Sequence, residues 1–187
     1  MTAQVLWFTG LSGAGKSTVA SLVEQRLVAA GVRVRTFDGD AVRARSHAHL
    51  GFSAADIREN NRLIAELCAE ALESCDVILV PVISPIAAAR QLARERLGAA
   101  FVEVYVKADL AAVRQRDPKG LYEAVREGRR DPLIGMDGAV AYEPPERPEI
   151  VLETESLDAV ACAERLFNYL ADNRHIARIC APETEVS

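Results

Sequence analysis

Gly10-Leu11-Ser12-Gly13-Ala14-Gly15-Lys16-Ser17 fits the pattern G-x-x-x-x-G-K-[ST]; it directly follows the apolar run Gln4 to Thr9 and precedes a stretch of helical periodicity. At ordinary residue frequencies a chance match is expected in roughly one such chain in a hundred, before the flanking strand and helix are required. Glycines let backbone N–H groups turn inward on an anion, and the helix N-terminus adds partial positive charge. Gly10 to Gly15, with Thr18 in the first helical turn, would cradle the phosphates of a nucleotide. Lys16 would hold β/γ oxygens, and Ser17 would ligate Mg²⁺.

Outward from this loop, short β-rich runs alternate with helical stretches. Candidate strands are 4–9, 32–37, 77–82, 101–106 and 150–152. Between them, 16–30 places Val19, Leu22, Val23 and Leu27 on one face, and Ser53-x-x-Asp56 opens a capped helix running to about Glu73. Helices at 86–97, 110–116 and 157–170 complete the alternation. The pattern predicts an α/β fold, a P-loop NTPase-type parallel sheet flanked by helices. The length of 187 residues points to a single domain, residues 1–173, with 174–187 as a flexible C-terminal tail.

Composition bounds the partners. Half the residues are hydrophobic and the net charge is −5, which makes a nucleic-acid binder a poor reading because duplex affinity rests on Lys and Arg. The charge is unevenly spread. Residues 1–113 carry 12 basic and 12 acidic side chains, 114–130 carry 6 against 3, and 131–187 carry 4 against 12. Local positive charge therefore remains for a polyanionic nucleotide. No segment reads as a signal peptide or membrane span, and Cys68, Cys75, Cys162 and Cys180 show no metal-binding spacing, so free thiols and a cytoplasmic setting are expected. His47-x-His49 lacks further ligands and is discounted as a metal clamp. Trp7 and Phe8 read as strand core.

Phe37-Asp38-Gly39-Asp40 puts two carboxylates at the C-terminal end of a strand, where open α/β sheets place ligands. A carboxylate there can orient an acceptor hydroxyl and take its proton, or support Mg²⁺ through water. Turn formation alone is the competing reading. A guanine-specificity signature is absent from the sequence, which favours a kinase over a GTPase.

The motifs then carry a family resemblance. Trp7 to Ser17, Asp38-Gly39-Asp40-x-Val42-Arg43, Leu50-Gly51-Phe52-Ser53, Ile83-Ser84-Pro85, Arg116-Asp117-Pro118-Lys119-Gly120-Leu121-Tyr122 and Tyr142-Glu143-Pro144-Pro145 occur in the order found in adenylyl-sulfate kinases. The resemblance implies transfer of the γ-phosphoryl group of MgATP to the 3′-hydroxyl of adenosine 5′-phosphosulfate. By position, it implies Asp40 facing the acceptor hydroxyl and Asp38 near the metal, reaching it through water. It implies Arg43, Phe52, Asn60, Ile83, Ser84, Lys119 and Leu121 on the acceptor, with Phe52 stacked on adenine. Lys119 is also placed at the reacting groups, Arg116 on ATP, and 114–148 as a lid region. Ser84 matches a serine the family treats as a phosphorylated intermediate; direct in-line transfer needs none, and binding the phosphosulfate is physically simpler. A homodimer is compatible with the resemblance.

Departures cluster on the acceptor side. Ala41 stands where the family has asparagine, Ile57 where it has arginine, and Ile86-Ala87 where it has Tyr-Arg. Leu133-Ile134-Gly135-Met136-Asp137 replaces Phe-Thr-Gly-Ile-Asp. Two alternatives follow: a relative phosphorylating another 5′-substituted nucleotide, such as cytidine diphosphoramidate, or a small alcohol; and an ATP-binding regulator without transfer.

Overall fold

The structure is a computed structural model that describes residues 3–47 and 49–172; the expected tail lies outside them. Its centre is a five-stranded parallel sheet in the order β2-β3-β1-β4-β5. The strands are β1 (Gln4–Thr9), β2 (Val34–Thr36), β3 (Val77–Pro81), β4 (Phe101–Lys107) and β5 (Ile150–Glu153). Strand β1 shows why both faces are covered. Leu6 and Phe8 point into one apolar core with helices α1 (Lys16–Ala29) and α7 (Ala159–Asp172), while Val5 and Trp7 point into another with α3 (Ala54–Ala71) and α4 (Ala87–Leu97). Trp7 and Phe8 are thus core, as expected, and Cys68, Cys75 and Cys162 are buried free thiols.

The capping box forms in both directions: Ser53 N–H donates to Asp56 Oδ2, and Asp56 N–H donates to Ser53 Oγ. Elsewhere the periodicity misled. Strand β2 is three residues, not six, because Gly31 (φ 72) closes α1 and Val32 N–H still bonds the Leu27 carbonyl. Asp38-Gly39-Asp40 opens a helix, α2 (Gly39–Ser46), rather than a turn. Asp38 caps it by accepting from the Asp40 and Ala41 N–H groups, and an Arg-rich, weakly apolar sequence hid it. After α5 (Leu110–Arg116), a further helix, α6 (Leu121–Arg126), stands in the basic stretch read as lid. Asp117 caps that helix by accepting from Tyr122 N–H and Glu123 N–H.

From β1 the chain runs to β2 on one side, and from β3 to β4 on the other. The carboxyl ends of β1 and β3 therefore flank the crevice where such sheets bind ligands.

Candidate functional site

The glycine-rich loop leaves β1 and enters α1 across this crevice. A Cβ on Gly10 would collide with the Val106 carbonyl, so β4 packing demands glycine there; at Gly15 the left-handed φ of 103 is the demand. Helix α1 has no acid in its first turn and no side-chain cap, leaving its N-terminal N–H groups to an anion. Ser17 and Thr18 are exposed in that turn.

Lys16 is 8% exposed, and Nζ donates to the carbonyls of Gly10 at 2.9 Å and Leu11 at 2.8 Å. The ammonium folds back over the loop that phosphates would fill. Burial lowers its pKa from 10.5 to about 8, with Asp40 pulling it up and Lys119 pushing it down. Since the native value lies below the unfolded one, the folded chain binds fewer protons between about pH 8 and 10.5, and this group's cost to stability is relieved as pH rises through that window. Phosphates seated in the loop would favour the charged form. MgATP binding should take up close to one proton per site at pH 9 and almost none at pH 7; calorimetry in buffers of different ionisation enthalpy measures the difference.

Asp38 and Asp40 face different tasks. One Asp38 oxygen caps α2, and the other accepts from the Ser17 hydroxyl at 3.0 Å. The Asp40 carboxylate is 85% exposed, with Lys119 Nζ at 3.3 Å. Lys119 precedes α6, so the basic segment and the strand end meet over the crevice. Tyr122 O–H donates to the Ser12 carbonyl at 2.9 Å, tying α6 to the glycine-rich loop. Arg116 donates to Thr154 Oγ1 and to its carbonyl, at the end of β5, while Leu121 packs on the larger core. Ser17 with Asp38 gives an all-oxygen pair beside a helix N-terminus. That suits Mg²⁺, which is commonly held by few protein oxygens, phosphates and water.

On the opposite wall, Arg43 donates to the Leu50 and Gly51 carbonyls and lies 4.7 Å from the centre of the Phe52 ring, which is 61% exposed. An aromatic face held flat by a guanidinium is a platform for a base. Asn60 is 3% exposed with Oδ1 2.9 Å from His47 Nδ1, so here it braces α3 against the end of α2. Ser84 is 1% exposed. Its hydroxyl accepts from Trp7 Nε1 at 3.2 Å and from Asn61 Nδ2 at 2.6 Å, an arrangement of a loop anchor rather than an open nucleophile. The Ile83 carbonyl accepts from Gly10 N–H and the Thr9 hydroxyl, joining the two crevice walls.

The polar contacts that sequence reading missed follow the same joint: Asn61 on Ser84, and Thr9 with the Tyr142 hydroxyl at 3.0 Å. Asn61 was discoverable from helical spacing, since 57, 61 and 64 share a face. Ile57 sits in a small apolar cluster with Ile86 and Ala89, completed by Ala54, Ile134 and Val140. The charge missing at 57 is thus replaced by packing, which an arginine returned there would disrupt. A cavity of about 430 Å³ between Leu11 and Met136, Asp137, Gly138 and Tyr142 adjoins the loop. Its wall includes Gly135, where a Cβ would lie 2.5 Å from Leu11 Cδ2.

Residues 2–153 match the family pattern of adenylylsulphate kinase. Among similar proteins, an adenylyl-sulfate kinase of Staphylococcus carnosus is 43% identical over 92% of this chain and 86% of its own length. One from Escherichia coli O1:K1 is 45% identical over 90% and 83%. Among solved structures, a Mycobacterium tuberculosis APS kinase in complex with AMPPNP and APS superposes with a TM-score of 0.84 at 37% identity, covering 90% of this chain and 98% of that one. A hexameric APS kinase from Thiobacillus denitrificans reaches 0.69 at 28%, with 93% of this chain but 30% of that one covered.

Proposed function

The chain belongs to the adenylylsulphate kinase family, and from that membership we propose the roles its residues take in moving the γ-phosphoryl group of MgATP to the 3′-hydroxyl of adenosine 5′-phosphosulfate. The glycine-rich loop and Lys16 hold the donor phosphates, and Arg116 the rest of ATP. Ser17 and, through water, Asp38 would hold Mg²⁺, which would supply positive charge beside the donor phosphates. Phe52 and Arg43 seat the acceptor nucleotide, with the Ile83 and Ser84 backbone behind it. Leu121 and Asn60 contribute indirectly, the first by seating α6 and the second by holding α2 to α3.

Asp40 orients the 3′-hydroxyl and accepts its proton as the acceptor oxygen bonds to the γ-phosphorus and the bond to the β-phosphate oxygen breaks, releasing ADP. Lys119 stands beside Asp40, close to the charge that develops. Residues 114–148 act as a lid that excludes water from the γ-phosphate. The observation that carries this reading is the meeting of Lys16, Ser17–Asp38 and Asp40–Lys119 around one crevice.

The test is incubation with MgATP and a panel of adenosine 5′-phosphosulfate, cytidine 5′-diphosphate derivatives and simple alcohols, scored by product mass. A 3′-phosphorylated adenylyl sulfate at low acceptor concentration is expected; phosphorylation of another acceptor alone overturns the assignment. A homodimer and a cytoplasmic location complete the proposal, the second supported by the unpaired, buried thiols of Cys68, Cys75 and Cys162.

A further inference from the structure

Arg90 is 3% exposed in the first turn of α4, and its guanidinium is divided among three segments. Nε donates to Glu103 Oε1 on β4 at 2.7 Å; one terminal nitrogen donates to the Ser84 carbonyl at 2.7 Å and the other to the Glu143 carbonyl at 2.8 Å. We propose that Arg90 is a positioning residue for the transfer, its fork locking the Ile83–Ile86 loop on the acceptor side of the crevice to the 133–143 strap. This rests on the reading of that loop as part of the acceptor site.

Three observations carry the proposal beyond a structural ion pair. The first is where the bonds go. Two of the three end on main-chain carbonyls outside any sheet or helix ladder, in segments some sixty residues apart in the chain, so one side chain bridges the loop and the strap. The second is backbone strain. Ser84 holds a φ of 44, unfavourable for a residue with a Cβ, and such conformations persist only where the surroundings over-determine them. Here Arg90 and the Thr9 hydroxyl hold its carbonyl, and Trp7 and Asn61 hold its hydroxyl.

The third is a second set of ties along the same seam. Glu143 N–H donates to the Pro85 carbonyl at 2.8 Å, and its carboxylate accepts from Ala87 N–H at 2.6 Å, capping α4 where Ile86 cannot. A lysine at 90 could still pair with Glu103. Only a planar fork reaches Glu103 and both carbonyls together, so what arginine adds is the joint between loop and strap. The pair itself is weak grounds for stability, because desolvation offsets its attraction.

Steady-state kinetics with ATP and adenosine 5′-phosphosulfate, beside thermal unfolding, test this on the full chain. Arg90→Lys should raise the acceptor KM about tenfold, the equivalent of one hydrogen bond lost from the bound state, and lower kcat while the ATP KM stays within about twofold. Glu103→Gln removes the ion pair but keeps the fork on the carbonyls; it should lower the unfolding midpoint and leave the ratio of the two KM values unchanged. Glu143→Ala alters an exposed side chain that should not endanger folding, and should raise the acceptor KM about threefold with no change for ATP. Should Arg90→Lys fail to fold, Arg90→Gln, which keeps an amide donor for one of the two carbonyls, takes its place in the same comparison. If these variants lower only the midpoint, or move both KM values together, Arg90 is merely structural and the proposal is overturned. A wild-type enzyme that does not phosphorylate adenosine 5′-phosphosulfate would instead overturn the acceptor reading, and this inference with it.

Discussion

Lys16→Ala should lower kcat/KM by about three orders of magnitude or more while the chain still folds. The size follows from what the ammonium does. In phosphoryl transfer little covalent chemistry is left to the protein, and a preorganised charge in a water-poor site contributes several kcal/mol to the transition state. Lys16 meets that description: it is buried, aimed into the glycine-rich loop, and charged at neutral pH although burial has brought its pKa down to about 8. The charge is held at a cost to folding, so alanine relieves a desolvated ion while leaving the Gly10 and Leu11 carbonyls without this partner. These effects oppose one another, and the unfolding midpoint should move by only a few degrees. Proton uptake on MgATP binding at pH 9 should disappear in the same variant. Turnover near the wild-type rate would remove Lys16 from the cradle.

Legibility in the sequence tracked the range of the physics. The glycine-rich loop was readable because most of its constraints are local: φ at Gly15, and a lysine and hydroxyl at fixed offsets. The same holds for the Ser53 box, where donor and acceptor are three residues apart. Helix α2 escaped because its N-cap is also good turn chemistry and its body, Gly39 to Ser46, has almost no apolar stripe. The buried links Arg90 to Glu143, Asn61 to Ser84 and Thr9 to Tyr142 span 53, 23 and 133 residues, and no local pattern announces them.

Asn60 and Asn61 show how adjacent residues on a helix part company: Asn60, expected on the acceptor, lies against His47. Its neighbour in sequence carries the contact to Ser84, because one step along a helix turns a side chain by about 100°. The acceptor-side departures also changed meaning once folded. Ile57 and Ile86 read singly as lost polar contacts; together with Ile134 and Val140 they are a packed seam between α3, α4 and the strap.

Asp40→Asn should reduce kcat by about 10² to 10⁴ and change ATP affinity by less than about threefold, the pattern of a lost proton acceptor rather than a lost binding contact. The two carboxylates of Asp38-Gly39-Asp40, at the start of α2, separate cleanly on geometry. Both Asp38 oxygens are engaged, one on the N–H groups of α2 and the other on the Ser17 hydroxyl, so its replacement by alanine should cost a helix cap, about 1 kcal/mol, together with metal support. That variant should therefore lose stability and ATP affinity together. Asp40 keeps its carboxylate open to the crevice, and its contact to Lys119 is an exposed pair worth less than about 1 kcal/mol, so asparagine should leave the unfolding midpoint nearly unmoved. Lys119→Ala separates the remaining possibility, that Asp40 serves only to hold Lys119. If the pair were the function, Lys119→Ala and Asp40→Asn would lower kcat equally and the double variant no further. If Asp40 takes the proton, Asp40→Asn is the more severe of the two.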